Sequence, residues 1–220
     1  MNFLLPSVGN KIGLACLLGR SVRDAGGRLL GSDIDPKAPA LAHVDEILEL
    51  PRFDDLGFWP ALGEAVGIGA VHAVIPVRNE ELLGWAKARE ASWLDLKILV
   101  SSSRTVSVCT DKAALYRLAE SVRVPCPEWV LPDEVETGSR VRFPAVLKPR
   151  SGAGSREVNI VGSQVEFEQL ARGLRAGYLL QAMVEGPEYS VDCFASADGE
   201  LSVCSPRERQ VVEHGQCIVG

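Results

Sequence analysis

A lysine closing an apolar strand, followed by a loop of two serines and two glycines, can hold phosphate. Here the segment reads FPAVLKPRSGAGSREVNIV, residues 143–161. Glycine lacks a Cβ and tolerates positive φ, so Gly152 and Gly154 let backbone N–H groups approach an anion closely. Ser151, Ala153 and Ser155 complete the loop, and Lys148 adds a mobile point charge suited to phosphate. The loop joins two strand-like runs, 145–148 and 158–161, whereas a Walker or dinucleotide loop leads into a helix. Walker A also closes on Gly-Lys-Ser/Thr, and here the lysine comes first. The segment reads as a strand–loop–strand flap over phosphates, with an ordinary β-hairpin loop as the alternative.

The elements that must position this loop alternate along the chain. Residues 3–5 form a short apolar run before Pro6 and Gly9, and a helical pattern covers 12–24, ended by Gly26-Gly27. Extended runs at 28–31, 46–50, 70–75 and 97–100 enclose helical patterns at 58–66 and 80–90. This βα alternation predicts a mostly parallel sheet with helices on both faces. Ligands of such sheets gather at the carboxyl ends of the strands, where Asp33 and Asp35 stand. The first turn, PSVGNKIG, lacks the GxGxxG of a nicotinamide-dependent oxidoreductase, and Asp before Pro starts turns. Beyond 110 the pattern predicts a helix over 111–123, a short strand at 128–131, a helix over 165–175 and a strand at 178–184. A hairpin over 188–205 turns at Asp198-Gly199.

Composition narrows the class. The chain has 220 residues, 46% of them apolar and 24% charged, as in a soluble globular protein. A net charge of −6 argues against a general nucleic-acid binder. The six cysteines, Cys16, Cys109, Cys126, Cys193, Cys204 and Cys217, include no CxxC pair. They are expected to be reduced, mostly buried thiols of a cytoplasmic protein. The apolar N-terminus lacks the basic flank of a signal peptide, and no window spans a membrane.

Five segments then recur in a fixed order: LLPSVGN (4–10), SDIDP (32–36), TDK (110–112), PAVLKPRSGAGS (144–155) and LLQAMVEGPEYSVD (179–192). Together they resemble the ATP-grasp superfamily, most closely its carbamoyl-phosphate-synthase-like members. The resemblance implies a Rossmann-like pre-ATP-grasp α/β domain over 1–108 and an α+β ATP-grasp module over 109–220, incomplete at its C-terminal end. By the same resemblance Lys112 and Lys148 neutralise ATP phosphates, and Ser151, Gly152, Ala153, Gly154 and Ser155 form the lid. Gln181 and the backbone of Met183 match the adenine-reading hinge, and Glu188 matches the ribose-binding acid.

Two departures qualify these implications. Glu157 stands where the family loop has a third glycine, placing a carboxylate near a triphosphate. The family's Mg²⁺ ligands are expected beyond Gly220, so no metal ligand or catalytic residue is assigned within the chain. Mg²⁺ is expected only where the missing lobe is supplied. The expected chemistry is ATP-dependent activation of a carboxylate as an acyl phosphate, captured by an amine, with this chain alone inactive. The alternative is a non-catalytic nucleotide-binding or assembly subunit, completed by a partner or by a second copy that covers the exposed lobe. Neither reading calls for nucleic acid or a membrane.

Overall fold

Strand β1 (Phe3–Leu5) is the axis of the N-terminal half, because its alternating side chains serve two cores. The computed structural model describes all residues except 133–140, 153–156, 172–176, 197, 214–215 and 220. They form two compact units, Met1–Cys109 and Thr110–Gly220.

In the first unit β1 leads to helix α1 (Ile12–Asp24), then β2 (Leu29–Gly31), a 3-10 turn at Pro39–His43 and β3 (Glu46–Ile47). Helix α2 (Phe58–Gly67), β4 (Ala73–Val74), α3 (Leu82–Glu90), β5 (Lys97–Ile98) and α4 (Ser103–Thr110) complete it. The strands run parallel in the order β3-β2-β1-β4-β5. Helix α1 buries Ala15, Gly19 and Val22, and α2 buries Phe58, Leu62 and Ala65. Both sets follow the i, i+4, i+7 spacing of a single helix face. Leu4 packs with Leu30, Val74, Leu62 and Trp85 on one side of the sheet. Leu5 packs with Leu29, Ala15 and Leu41 on the other. Phe53, Phe58, Trp59 and Trp85 meet at ring-centroid separations of 5.0–5.6 Å, within the range of favourable aromatic pairs.

The second unit opens with α5 (Lys112–Ser121) and β6 (Trp129–Val130). Strands β7 (Ala145–Pro149), β8 (Asn159–Val161) and β9 (Tyr178–Ala182) follow, with α6 (Gln164–Ala171) between the last two. These strands form an antiparallel sheet in the order β6-β9-β7-β8. Ala145, Leu147, Val161, Phe167 and Leu180 fill its core. Strands β10 (Tyr189–Ala195) and β11 (Leu201–Glu208) make a separate hairpin. Gly199 sits in its turn at φ +90°, where a side chain would be strained. Strands β12 (Val211–Glu213) and β13 (Gln216–Val219) pair beyond it.

Three features depart from the sequence reading. Helix α4 and the β12–β13 pair were not expected from the pattern. None of the six cysteines is buried: Cys126 and Cys217 are intermediate and the other four exposed, so the expected core role is corrected. Among the described residues no helix is long and apolar enough to cross a membrane.

Leu4 is fully buried on the central strand. Replacing it by alanine leaves a cavity and is expected to cost about 2–5 kcal/mol. Urea unfolding followed by tryptophan fluorescence checks this; a loss below about 1 kcal/mol contradicts the assigned core.

Candidate functional site

Strands β7 and β9 pair antiparallel with Val146 opposite Gln181 and Lys148 opposite Leu179. Lys148 and Gln181 are therefore diagonal neighbours on one face, within reach of each other's long side chains. The Lys148 ammonium donates to Gln181 Oε1, and also to Tyr116 Oη at 3.2 Å. Tyr116 in turn donates to Gln181 Oε1 at 2.5 Å. Tyr116 lies on α5 four residues after Lys112, so the two share a helix face.

Lys112 turns towards the loop that follows β7. Its ammonium donates to the carbonyls of Pro149 (2.9 Å), Gly152 (3.1 Å) and Arg150 (3.4 Å). Its own backbone N–H donates to Arg150 O at 2.9 Å. Asp111 caps α5 by accepting from the N–H groups of Ala113 (3.0 Å) and Ala114 (3.4 Å). The same carboxylate takes a two-pronged contact from Arg150, Nε at 3.1 Å and Nη2 at 2.5 Å. One acid thus starts the helix and ties it to the loop.

The electrostatics follow from this geometry. Burial pushes the Lys148 ammonium below the ordinary lysine value, and the nearby charge of Lys112 pushes it further. Burial lowers Lys112 too, with Asp111 opposing. Among the described residues no carboxylate lies within ion-pair distance of either lysine; their partners are neutral oxygens. Arg150, by its hydrogen bonds, holds the Asp111 carboxyl below the usual carboxylate range, against the effect of burial.

The other expected residues are distributed as follows. Ser151 and Gly152 are exposed beside Lys112, Gly152 at φ +109°; Ala153, Gly154 and Ser155 lie outside the described residues. Gln181 spends its side-chain oxygen on Lys148 and Tyr116. The Met183 N–H donates to Pro144 O at 3.3 Å, so its backbone offers a carbonyl. Met183 itself is 41% exposed. An open depression of about 370 Å³ beside it is lined by Pro144, Ala182, Met183 and Glu185 among others. Glu188 pairs with Arg209 at 2.9 Å.

Glu157 adopts φ +57°, the left-handed region that glycine occupies freely. Its carboxylate accepts from Tyr178 Oη, which holds the Tyr178 phenol above its usual value. Tyr116 and Arg150 were missed by the sequence reading. Their signals are spacing: Tyr116 at i+4 from Lys112, and Arg150 two residues after Lys148.

Comparison with known proteins identifies the class. Residues 109–219 match a family described as the ATP-grasp domain, and residues 3–98 match one described as PylC-like, N-terminal domain. The first match covers half of the chain, which therefore belongs to the ATP-grasp family and is similar to carbamoyl-phosphate synthases. The carbamoyl-phosphate synthase of Methanobrevibacter smithii is 24% identical over 191 residues, 84% of this chain and 50% of that protein. The chain thus spans about half the length of that relative. The biotin carboxylase domain of the Hydrogenobacter thermophilus 2-oxoglutarate carboxylase superposes with a TM-score of 0.76 at 16% identity, over 98% of this chain and 51% of that one. N5-carboxyaminoimidazole ribonucleotide synthetase from Thermus thermophilus gives 0.74 at 22%, over 96% and 55%. At these identities the structures establish the shared α/β fold alone.

The depressed carboxyl of Asp111 yields a pH prediction. Its contribution to stability is fully present above the unfolded value of about 3.9 and is lost as pH falls through the lower folded value. Asp111→Ala is expected to cost about 1–2 kcal/mol at pH 7 through the lost cap. Urea unfolding at successive pH values should show the wild type converging on the variant below about pH 4. A constant gap down to pH 2 contradicts the assignment.

Proposed function

We propose that the second unit binds ATP, with Lys112 and Lys148 taking the phosphates. The observation supporting this is the pair of half-buried ammonium groups with no carboxylate within ion-pair distance among the described residues. Two such cations close together repel, and an anion between them relieves both the repulsion and the burial penalty. Their present partners are neutral carbonyl, amide and phenol oxygens, which a phosphate can replace. The residues therefore fit the nucleotide. Exposed Ser151 and Gly152 would add loop N–H groups, and the Met183 carbonyl with the exposed Val184 N–H would meet the base. We keep Glu188 as the ribose-binding acid, which requires it to exchange or share Arg209.

We read 1–108 and 109–220 as the pre-ATP-grasp and ATP-grasp domains of a cytoplasmic carboxylate–amine ligase, or of part of one. ATP, if bound, would pass its γ-phosphoryl group to a carboxylate, giving an acyl phosphate and ADP, and an amine would then attack the acyl carbon and displace phosphate. The chain's own contribution is positioning and charge stabilisation: Lys148 and Lys112 hold phosphate oxygens, and Arg150 and Asp111 fix the loop against α5. Among the described residues no three His, Cys, Asp or Glu side chains converge on a metal site. No step is assigned to Mg²⁺.

A second reading draws on the hairpin β10–β11, where Tyr189, Val191, Phe194, Leu201 and Val203 are all exposed. By the strand register Tyr189 and Val191 stand on one face of the hairpin and Phe194 and Val203 on the other, and exposed apolar side chains grouped in this way mark an interaction surface. On that reading the chain binds nucleotide without turnover until another protein segment covers the hairpin.

Calorimetry with ATP tests the site. Lys148→Ala is expected to weaken ATP binding about 10- to 100-fold, the loss of a charge-assisted hydrogen bond. Equal affinity for both proteins contradicts the site. Because the Lys148 value is depressed, wild-type affinity should decline with rising pH before the ordinary lysine value of 10.5 is reached. Lys148→Arg should move that decline to higher pH.

A further inference from the structure

A second candidate site lies in the first unit. The strand order β3-β2-β1-β4-β5 reverses direction at β1, and in doubly wound sheets ligands bind outside the carboxyl ends of strands at such a switch point. A cavity of about 130 Å³ lies there, lined by residues that follow β1 (Ser7), β2 (Ser32) and β4 (Arg78, Glu81). Leu50, Pro51, Phe53 and Phe58 supply an apolar wall.

Several charged residues at this cavity already have partners. Asp33 accepts from the N–H groups of Gly9 (2.8 Å) and Asp35 (2.9 Å), which makes it a loop staple. Arg52 pairs with Asp54 at 3.1 Å. Three groups remain with capacity to spare. Glu81 is only 4% exposed, yet its carboxylate accepts from Ser7 Oγ at 2.5 Å and from Trp85 Nε1 at a marginal 3.5 Å. Among the described residues it has no cationic partner, although a buried carboxylate normally requires one. Arg78 gives Nε to Glu80 at 3.2 Å and its charge also acts on Asp54, while its two terminal nitrogens have no hydrogen-bond partner among the described residues. Ser32 is also 4% exposed, and its hydroxyl has no hydrogen-bond partner there. Ser7 holds φ +48°, a strained conformation of the kind that clusters at ligand sites.

An uncompensated buried carboxylate, a half-used guanidinium and a free hydroxyl beside an aromatic wall are complementary to a small zwitterion. We propose that this cavity binds an α-amino acid with an apolar side chain. Its ammonium faces Glu81 and the Ser32 hydroxyl, its carboxylate faces the terminal nitrogens of Arg78, and its side chain packs on Phe53 and Phe58. The assignment deepens the ligase reading by naming a substrate class, and it rests on that reading for its role in a reaction.

The test uses the full chain and L-alanine, L-valine, L-leucine and L-methionine, with N-acetyl-L-leucine and L-leucine methyl ester as blocked controls. Calorimetry and tryptophan fluorescence, with Trp85 bonded to Glu81 as reporter, should show saturable binding of at least one free amino acid. Each blocked control should bind about 10- to 100-fold more weakly than L-leucine, the loss of one charged hydrogen-bonding end. Arg78→Ala and Ser32→Ala should weaken binding while leaving ATP affinity unchanged; these variants keep the test open if Glu81→Gln fails to fold. No binding of any of the four up to about 10 mM, or equal binding of N-acetyl-L-leucine, overturns the proposal. ATP binding without amino-acid binding sinks this proposal alone. Amino-acid binding without ATP binding sinks the nucleotide reading and leaves the cavity's assignment standing.

Discussion

The second unit is organised around two ammonium groups held close together and partly out of water. Lys148 projects from a sheet and Lys112 from a helix, so two elements of secondary structure set where their stems begin. The chain meets their donors with neutral oxygens: Gln181 and Tyr116 for Lys148, main-chain carbonyls for Lys112. Neutral acceptors satisfy hydrogen bonds without cancelling charge. A carboxylate in the same place would make a stable ion pair and abolish the site's demand for an anion. On the proposed reading, the difference between satisfying the donors and neutralising them is what suits this face to phosphate.

The surroundings keep that arrangement in register. Asp111 is both the cap of α5 and the counter-ion of Arg150, so the helix start and the loop after β7 are joined through one carboxylate. Glu157, which as a free charge would repel a polyphosphate, is engaged by Tyr178 across β7. Its left-handed backbone gives the same turn a glycine would give. The departure from the family's glycine therefore places a charge and a left-handed non-glycine residue at this position.

Much of the fold was legible because its signals are local. Helix α1 spans Ile12–Asp24, the range its apolar spacing and the following Gly26-Gly27 predict. The strand–loop–strand around Lys148 was legible for a similar reason: an apolar run, a charge and glycines in sequence. Helix α4 was not, since SRTVSVCT is rich in β-branched and hydroxyl residues of modest helix propensity. Its start is held by the local Ser102 Oγ, which accepts from the Thr105 N–H at 3.1 Å, and by Glu90, thirteen residues before Ser103, which accepts from the Ser103 N–H at 2.7 Å. The site was legible in its charges and illegible in their partners. Tyr116 and Gln181 stand 65 residues apart, and only the pairing of β7 with β9 under α5 brings them to Lys148. The cysteines were misjudged because residue type predicts burial only on average. Cys193 and Cys204, for example, face each other on an exposed hairpin.

The central claim is that ATP occupies the face defined by Lys148, the loop after it and the end of β9. Amide hydrogen exchange of the full chain, with and without saturating ATP, addresses this directly. The account predicts slower exchange across Lys148–Gly152 and Gln181–Val184 when ATP is bound. Saturable ATP binding that leaves exchange in both segments unchanged would contradict it.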